Sequence, residues 1–449
     1  FGMGYSLAYG RGNAFIGDLS LVFTDSWGEF PRMFFGFTFA AASSTIASGA
    51  TAGRMKLSSY LVIPFLISLI LYPVFSHWVW APNGWLCKWG FIDFAGSGVV
   101  HLCGGATALV ANIFVGPRKT FVDGHVTKGH SLPHAVTGTL ILWFGWFGFN
   151  AGNARGISGG RSIVAAICCV NTALTPTATL LSYLAYDQAL HYYRLYMNAG
   201  NIVIEMKVNP RESSPALDDP VSPQAAESSS AVAVVEQLSN YRIDFARALN
   251  AIISGLVASA AGCATMRGWA AILTGIITGI AMGTAIVLTQ KWGTIDDPVD
   301  AFIVHGLCGF VGLITAGLLS DRELIDMAYG TDYVQHPAGE QLGVQLVGGL
   351  VIIGSTVAVV GLPLALMSLP CCRRSDSHPF LIRVSPSLEE VGLDYMVKGW
   401  AYFYLDSMKE QRRIQKSLRK RLSVLEMRER KRLRSSLAEA GNPDAAASS

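Results

Sequence analysis

Residues 297–305 read DPVDAFIVH, and this stretch has a counterpart earlier in the chain, where residues 93–101 read DFAGSGVVH. In both, an aspartate precedes a histidine by eight residues, valine comes just before the histidine, and Cys-Gly follows shortly after it. Eight residues of α-helix rise roughly 12 Å. We therefore predict that Asp93 and Asp297 lie at helix entrances, with His101 and His305 about two turns further along.

The composition places these two stretches in a membrane protein. Of 449 residues, 51% are hydrophobic and only 14% are charged, whereas about 25% are charged in a typical soluble domain. A spanning helix needs about 20 mostly apolar residues, and a membrane barrel would show alternating polarity instead. The sequence predicts an all-α, multi-spanning membrane helix bundle. Nine predicted spans cover residues 31–51, 58–80, 94–116, 133–152, 162–186, 246–263, 269–290, 301–319 and 342–369.

Loop charges predict the direction of each span. The loops after residues 51, 116 and 186 carry many of the cations, and the loop after residue 319 is acidic. The positive-inside rule then places the basic loops and the C-terminus in the cytoplasm. The loop before Asp93 is predicted outside and the loop before Asp297 inside, so the two repeats run in opposite directions. Inverted repeats are typical of transporters whose substrate path lies near the midplane, and we expect His101 and His305 to face each other there.

Two segments are predicted to lie outside the membrane. Residues 187–245 contain a run rich in serine, proline, alanine and acidic residues, which indicates a cytoplasmic linker. Residues 371–449 are strongly basic and are predicted to form a cytoplasmic C-terminal tail. Residues 1–370 would then form the transmembrane domain, with the linker inside it.

Three interpretations of the paired histidines remain open. Ionisable side chains deep in membrane helices usually mark a pathway or a proton relay, and two imidazoles can share one proton because each ring can donate and accept. Alternatively, each ring bonds a separate backbone carbonyl. The third interpretation is a metal site that includes Cys103 or Cys308, although Cys103 points about 200° around the helix from His101. The sequence contains no nucleophile triad, nucleotide-binding loop or metal-ligand cluster, so we expect no enzyme activity, metal or other cofactor, and no nucleic-acid partner.

Five stretches together resemble the ammonium transporter family, the Amt/Mep proteins and their Rhesus relatives. They are GYSLAYG (4–10), DFAGSGVVH (93–101), WFGFNAG (146–152), DDPVDAFIVHG (296–306) and GLD (392–394). The resemblance implies ammonium or ammonia as substrate, nitrogen uptake across a cell membrane, an Amt/Rh-like inverted repeat and a homotrimer. It also implies eleven helices, so we expect about nine spans here, with the first helix and most of the second missing.

The resemblance also implies roles for individual residues. Phe39 and Phe149 resemble the stacked gate, and Trp80 resembles the tryptophan of the outer vestibule. Asn153 stands where many relatives have an ammonium-binding serine. The remaining four residues have ionisable side chains. His101 and His305 resemble the family's twin histidines, Asp93 resembles its buried aspartate, and Asp300 resembles an aspartate below the pore. An ammonium sensor and a neutral ammonia channel of Rhesus type remain as alternative functions.

Overall fold

A computed structural model of the chain describes residues 2–122, 131–208, 243–369, 382–384 and 389. They form helices and loops, with two isolated backbone bridges. The first helices are α1 (Gly2–Tyr9), α2 (Phe30–Thr51), α3 (Leu57–Tyr60), α4 (Val62–Leu66), α5 (Tyr72–Trp80), α6 (Trp85–Lys88), α7 (Cys103–Val115), α8 (Lys119–Val122) and α9 (Leu132–Ala151). They are followed by α10 (Arg161–Val208), α11 (Phe245–Gly262), α12 (Gly268–Trp292), α13 (Cys308–Leu319), α14 (Arg322–Tyr329) and α15 (Ala338–Met367). Three π-helical segments lead into α5, α7 and α13: Ile67–Leu71, Ser97–Leu102 and Phe302–Leu307.

The prediction of an all-α membrane bundle is confirmed, and each of the nine predicted spans contains a helix. Eight helical stretches of the described chain are long and apolar enough to cross a membrane. The predicted span over residues 133–152, which corresponds to α9, is not among them. Its 20 residues include Pro133, His134 and Asn150, which lower its mean hydropathy.

The span predicted over residues 58–80 is helical but not uniform. Its middle is the π-helical segment Ile67–Leu71, and Pro73 follows in the first turn of α5. Proline has no backbone N–H to donate to the preceding turn. A local widening of the helix accommodates that missing hydrogen bond without ending the span.

Helix α10 is longer than predicted. The predicted span ended at residue 186, but the helix runs through Val208, so the first part of the predicted linker is helical. Its membrane half packs closely on α12, where a Cβ added to Gly275 would lie 2.4 Å from the Thr175 carbonyl oxygen. Only glycine permits that approach, as small residues do at membrane helix interfaces generally. Residues 209–242 of the predicted linker lie outside the described residues.

The loops group at two opposite ends of the bundle. At one end, the Arg54 guanidinium donates to the carbonyl oxygen of Asp296 at 2.6 Å, and Arg118 forms an ion pair with the Asp296 carboxylate. The loops after α2 and α7 and the loop before α13 therefore share one end. The segment containing Asp93 lies at the other end, where Tyr333 donates to the Phe91 carbonyl. The two histidine-bearing helices thus start from opposite ends, as the inverted repeat predicts.

The described residues as far as Val384 form a first compact unit. In the first unit, Ile382–Val384 pairs with the loop after α2: the Lys56 N–H donates to the Ile382 carbonyl, and the Val384 N–H donates to the Arg54 carbonyl. The predicted tail, apart from Ile382–Val384 and Glu389, lies outside the described residues.

Candidate functional site

Each histidine lies in a π-helical segment whose start is fixed by an aspartate. The Asp93 carboxylate accepts backbone N–H groups of Gly96, Gly98 and Val99 at 2.9 to 3.0 Å. The Asp297 carboxylate accepts the Phe302 N–H at 2.8 Å in the same way. These N–H groups have no partner within the first helical turn, so the aspartates act as caps.

The predicted spacing therefore needs one correction. The eight residues between aspartate and histidine are not two regular helical turns, because the chain first makes a tight bend and the helix starts only at Ser97 or Phe302. At the first repeat this bend passes through Gly96, whose φ of +99° favours glycine. The aspartates do lie at the helix entrances.

The two histidine rings meet because two backbones touch. A Cβ on Gly105 would lie 2.1 Å from the Gly306 nitrogen, so only a glycine fits where α7 crosses the second histidine segment. His101 Nδ1 lies 3.2 Å from His305 Nδ1, and the two rings are nearly parallel at a centroid distance of 5.3 Å. His101 is buried, and its Nε2 has no hydrogen-bond partner among the described residues.

A row of aromatic rings leads to the histidine pair. Trp80 meets Phe39 edge to face at 5.9 Å, and its indole N–H donates to the Asp93 carbonyl at 2.8 Å. Phe39 stacks on Phe149 at 4.1 Å with 11° between the rings, and Phe149 lies 5.5 Å from the His101 ring. Three aromatic residues selected from the sequence thus form one continuous contact series with the pair.

Trp146 completes this site and was not selected from the sequence. Its ring stacks on His101 at 5.1 Å and contacts Phe149 at the same centroid distance. The signal was available, because Trp146 stands three residues before Phe149, and residues three apart share a helix face.

Asn150 fixes the helix that carries Phe149 and Trp146. It is fully buried, and its amide donates to the Thr172 hydroxyl of α10 at 2.8 Å and to the Ser259 hydroxyl of α11 at 3.1 Å. Three helices are therefore joined directly behind the stacked rings.

The last two selected residues lie on either side of the row. Asn153 donates through Nδ2 to the Phe149 carbonyl at 2.9 Å, and no described residue hydrogen-bonds its Oδ1. Asp300 lies next to the second histidine segment, where its Oδ2 accepts from Asn250 at 3.3 Å. Its φ of +54° is rare for a residue other than glycine.

Among the described residues no three His, Cys, Asp or Glu side chains come together as metal ligands. Cys103 and Cys308 are buried among apolar side chains.

Membrane-spanning helices, two oppositely directed repeats and a histidine pair at their crossing define a multi-spanning membrane protein of the inverted-repeat class. The model of the Ammonium Transporter Family matches residues 1–199 and 224–401. The chain belongs to this family.

Individual relatives agree with that assignment. Ammonium transporter Amt2 of Archaeoglobus fulgidus is 32% identical over 382 residues, which is 80% of this chain and 67% of the relative. Ammonium transporter 1 member 3 of Solanum lycopersicum is 30% identical over 431 residues, 91% of this chain and 82% of the relative. Among solved structures, a protein described as Sensor Amt Protein has a TM-score of 0.66 and 27% identity, covering 87% of this chain and 84% of its own. Saccharomyces cerevisiae Mep2, at a TM-score of 0.65 and 24% identity over 85% of this chain and 78% of its own, supports the fold alone.

Proposed function

We propose that this protein transports ammonium by recruiting the cation at Trp80 and Phe39, removing its proton, and passing ammonia along the histidine pair. The observation that carries the proposal is the contact series that ends where His101 Nδ1 and His305 Nδ1 lie 3.2 Å apart. Each preceding ring contacts the next.

Recruitment rests on cation–π attraction. An ammonium ion over the face of Trp80 or Phe39 gains about 2 kcal/mol once it is partly desolvated. The Asn153 Oδ1 is the amide oxygen that we assign as a hydrogen-bond acceptor for the same ion. Asp93 is too well engaged by backbone amides to bind the ion and instead fixes the Trp80 indole through its carbonyl.

Energetics favour removing the proton before the stacked rings. Moving a bare ammonium-sized ion into a low-dielectric interior costs on the order of 20 kcal/mol in the idealised limit. Deprotonating an amine whose pKa is about three units above ambient pH costs only about 4 kcal/mol. Neutral ammonia then passes Phe39 and Phe149 when the stacked rings swing apart.

The proton follows a separate route through the histidine pair. Two facing Nδ1 atoms hold one hydrogen between them across 3.2 Å. When His101 receives a proton on Nε2, its Nδ1 hydrogen can pass to His305 Nδ1, and His305 then releases the proton on its own Nε2, so both rings end neutral. Asp300, beside the second histidine segment, contributes negative charge near the inner end.

We further propose the setting in which this occurs. The chain would lie in a cell membrane with its basic tail in the cytoplasm, following the positive-inside rule. Residues 1–370 would form the transport domain, interrupted by the linker at 187–245. A homotrimer with one path per subunit is the assembly that the family resemblance implies.

The test is ammonium uptake by the full chain in cells that lack their own ammonium transporters. We expect saturable uptake that is lost in His101→Ala, while Phe144→Ala, on an α9 ring that is 81% exposed, retains it. Uptake in the wild type that His101→Ala leaves unchanged would contradict the proposal.

An ammonium sensor is the second candidate, and the similarity to the protein described as Sensor Amt Protein favours it. A sensor would bind ammonium at the same aromatic site with little transport. Binding measured by calorimetry on the purified full chain, together with absent uptake, would identify that function.

A further inference from the structure

Gln345 of α15 is a fully buried amide that has no part in the proposed transport path. Its Oε1 accepts the backbone N–H of Ile92 at 2.9 Å, and its Nε2 donates to the Ile92 carbonyl at 2.6 Å. The same Nε2 donates to the carbonyl oxygen of Leu313 in α13 at 3.2 Å. One side chain therefore binds both backbone groups of Ile92 and joins them to two helices.

A carboxamide matches this set of partners. Its two N–H groups are used by the carbonyl oxygens of Ile92 and Leu313, and its oxygen is used by the N–H of Ile92. A carboxylate would have no hydrogen for either carbonyl, and an aliphatic side chain would leave both groups of Ile92 without this partner. Such losses are unfavourable in a buried place, so the chemistry of Gln345 fits the backbone that it binds.

The stretch before Asp93 lies along one face of α15. Each of its three carbonyl groups accepts a hydrogen bond from a side chain: Gly90 from Gln341, Phe91 from Tyr333, and Ile92 from Gln345. Gln341 and Gln345 are four residues apart, so they share a helix face. Gly348 continues that face, where an added Cβ would lie 2.3 Å from the Phe91 ring. These contacts place Gln345 at the end of the stretch that leads into Asp93.

Gln345 fixes one side of Asp93. The Ile92 carbonyl and the Asp93 nitrogen belong to the same planar peptide group, so the hydrogen bond from Gln345 orients both. On the other side of Asp93, the Phe94 N–H donates to the Ala261 carbonyl of α11 at 2.9 Å. Asp93 is therefore held between α15 and α11, and loss of either attachment frees one of its two peptide groups.

Trp80 is seated on the segment that begins at Asp93. Its indole N–H donates to the Asp93 carbonyl at 2.8 Å, and a Cβ built on Gly96 would lie 3.5 Å from its ring. The ring thus has one hydrogen bond and one packing contact with this segment. A shift of Asp93 must either move the ring or lengthen the hydrogen bond.

We propose that Gln345 is a positioning residue for the outer ammonium site, and this inference rests on the proposed role of Trp80. By fixing the peptide group between Ile92 and Asp93, Gln345 holds the carbonyl that receives the Trp80 indole. It also holds the carboxylate that caps the first histidine segment. Gln345 acts through Asp93 and is not itself a binding residue.

The first variant is Gln345→Met. Methionine has a similar length and volume but can form none of the three hydrogen bonds of Gln345. With one peptide group of Asp93 released, the Trp80 ring loses part of its cation–π contact with ammonium. We expect the KM for ammonium uptake to rise about fivefold, which corresponds to about 1 kcal/mol, while maximal uptake per molecule at the cell surface stays near the wild-type value. A residue that only stabilises the fold would lower the number of molecules and leave KM unchanged.

The matched control is Gln341→Met. Gln341 is buried one turn earlier on α15, and its amide donates to the Gly90 carbonyl at 2.8 Å. This variant loses a buried hydrogen bond to the same stretch but keeps the pairing of Gln345 with Ile92, so we expect a wild-type KM. A KM increase confined to Gln345→Met separates positioning from the general cost of losing a buried amide.

The direct measurement is the indole N–H spectrum of full chain labelled with nitrogen-15 tryptophan in lipid bilayers, with the Trp80 signal assigned by its loss in Trp80→Phe. We expect the Trp80 signal to shift in Gln345→Met, because its hydrogen bond to Asp93 lengthens, and to stay in place in Gln341→Met. The Trp78 indole donates to the Phe15 carbonyl instead, so an unchanged Trp78 signal would show that each variant folds.

Gln345→Asn is a second variant, because its amide lies about 1.5 Å further from Ile92. It should change the KM and the Trp80 signal in the same direction, and it replaces the methionine variant if that protein does not reach the membrane. A Trp80 signal identical to that of the wild type, or an equal KM in the Gln345 and Gln341 variants, would overturn the inference. The spectrum requires no transport, so failure of the proposed function would not be mistaken for failure of this inference.

Discussion

Gly105→Ala should separate the two histidines without removing either of them. The added methyl would lie 2.1 Å from the Gly306 nitrogen, 2.3 Å from its Cα and 2.8 Å from the His305 carbonyl carbon. All three atoms belong to backbone, so no side-chain rotation relieves the contact. The helix that carries His101 and the segment that carries His305 must move apart.

The size of that movement determines the effect. Ordinary contacts between such atoms are about 3.5 Å or longer, so the two backbones must separate by about 1 Å or more. The Nδ1 atoms now lie 3.2 Å apart, and a further 1 Å exceeds the roughly 3.2 Å upper range of an N–H hydrogen bond. Overpacking of this kind destabilises a fold by about 1–3 kcal/mol, which leaves the bundle folded while the histidine contact is lost.

The assay is ammonium-evoked current from the full chain, with surface abundance measured in the same cells. We expect Gly105→Ala to reach the membrane and to lose most of its current. Gly145→Ala on α9 is the control, because an added Cβ there meets nothing within 4 Å, and it should conduct like the wild type. Wild-type current from Gly105→Ala at equal abundance would show that transport does not depend on the contact between the two histidines.

Three further predictions concern stability, measured by thermal and denaturant unfolding of the full chain in detergent. Asp93→Asn should cost about 1–3 kcal/mol, because the amide oxygen can still accept from Gly98 and Val99 but the NH2 group then faces the Gly96 N–H donor; an unchanged unfolding midpoint would contradict this. Arg54→Met should cost about 2–4 kcal/mol, because the fully buried guanidinium donates to three carbonyl groups, and Arg54→Lys should recover only part of the loss. The hydrogen bond from Arg267 lowers the pKa of Asp321 below its usual value, so this carboxylate stabilises the fold at neutral pH and the contribution is lost as the pH falls through its folded pKa. Between about pH 5 and 3, the wild type should therefore lose slightly more stability than Asp321→Asn. The difference should be less than about 1 kcal/mol, because the ion pair with Arg267 is exposed. Equal losses in the two proteins would argue against the ion pair.

The sequence predicted those features of the structure that a single physical requirement determines. Apolar length predicted the spans, because every backbone polar group in lipid must be satisfied within a helix. Loop charge predicted which ends of α2, α7 and α13 lie together, and the Arg54 and Arg118 contacts with Asp296 confirm it. The repeated aspartate–histidine spacing predicted the two repeats, and the loop charges predicted their opposite directions.

Features that depend on contacts between distant segments were not predictable. Nothing in the sequence indicates that Gly105 meets Gly306, because that contact depends on how two helices cross. Trp146 was overlooked because an aromatic residue in an apolar helix is usually a packing residue, and only its stacking on His101 distinguishes it. The continuation of α10 to Val208 was missed because composition marks where apolar residues end, not where helical hydrogen bonding ends.

Ammonia and a proton move separately in the proposed mechanism, with the proton carried between His101 and His305. The most direct test measures current and ammonia flux together, in proteoliposomes that contain the full chain or its His305→Ala variant. We expect a saturable inward current in the wild type and its loss in His305→Ala. Ammonia flux with no current in the wild type, or equal current in the two proteins, would contradict it.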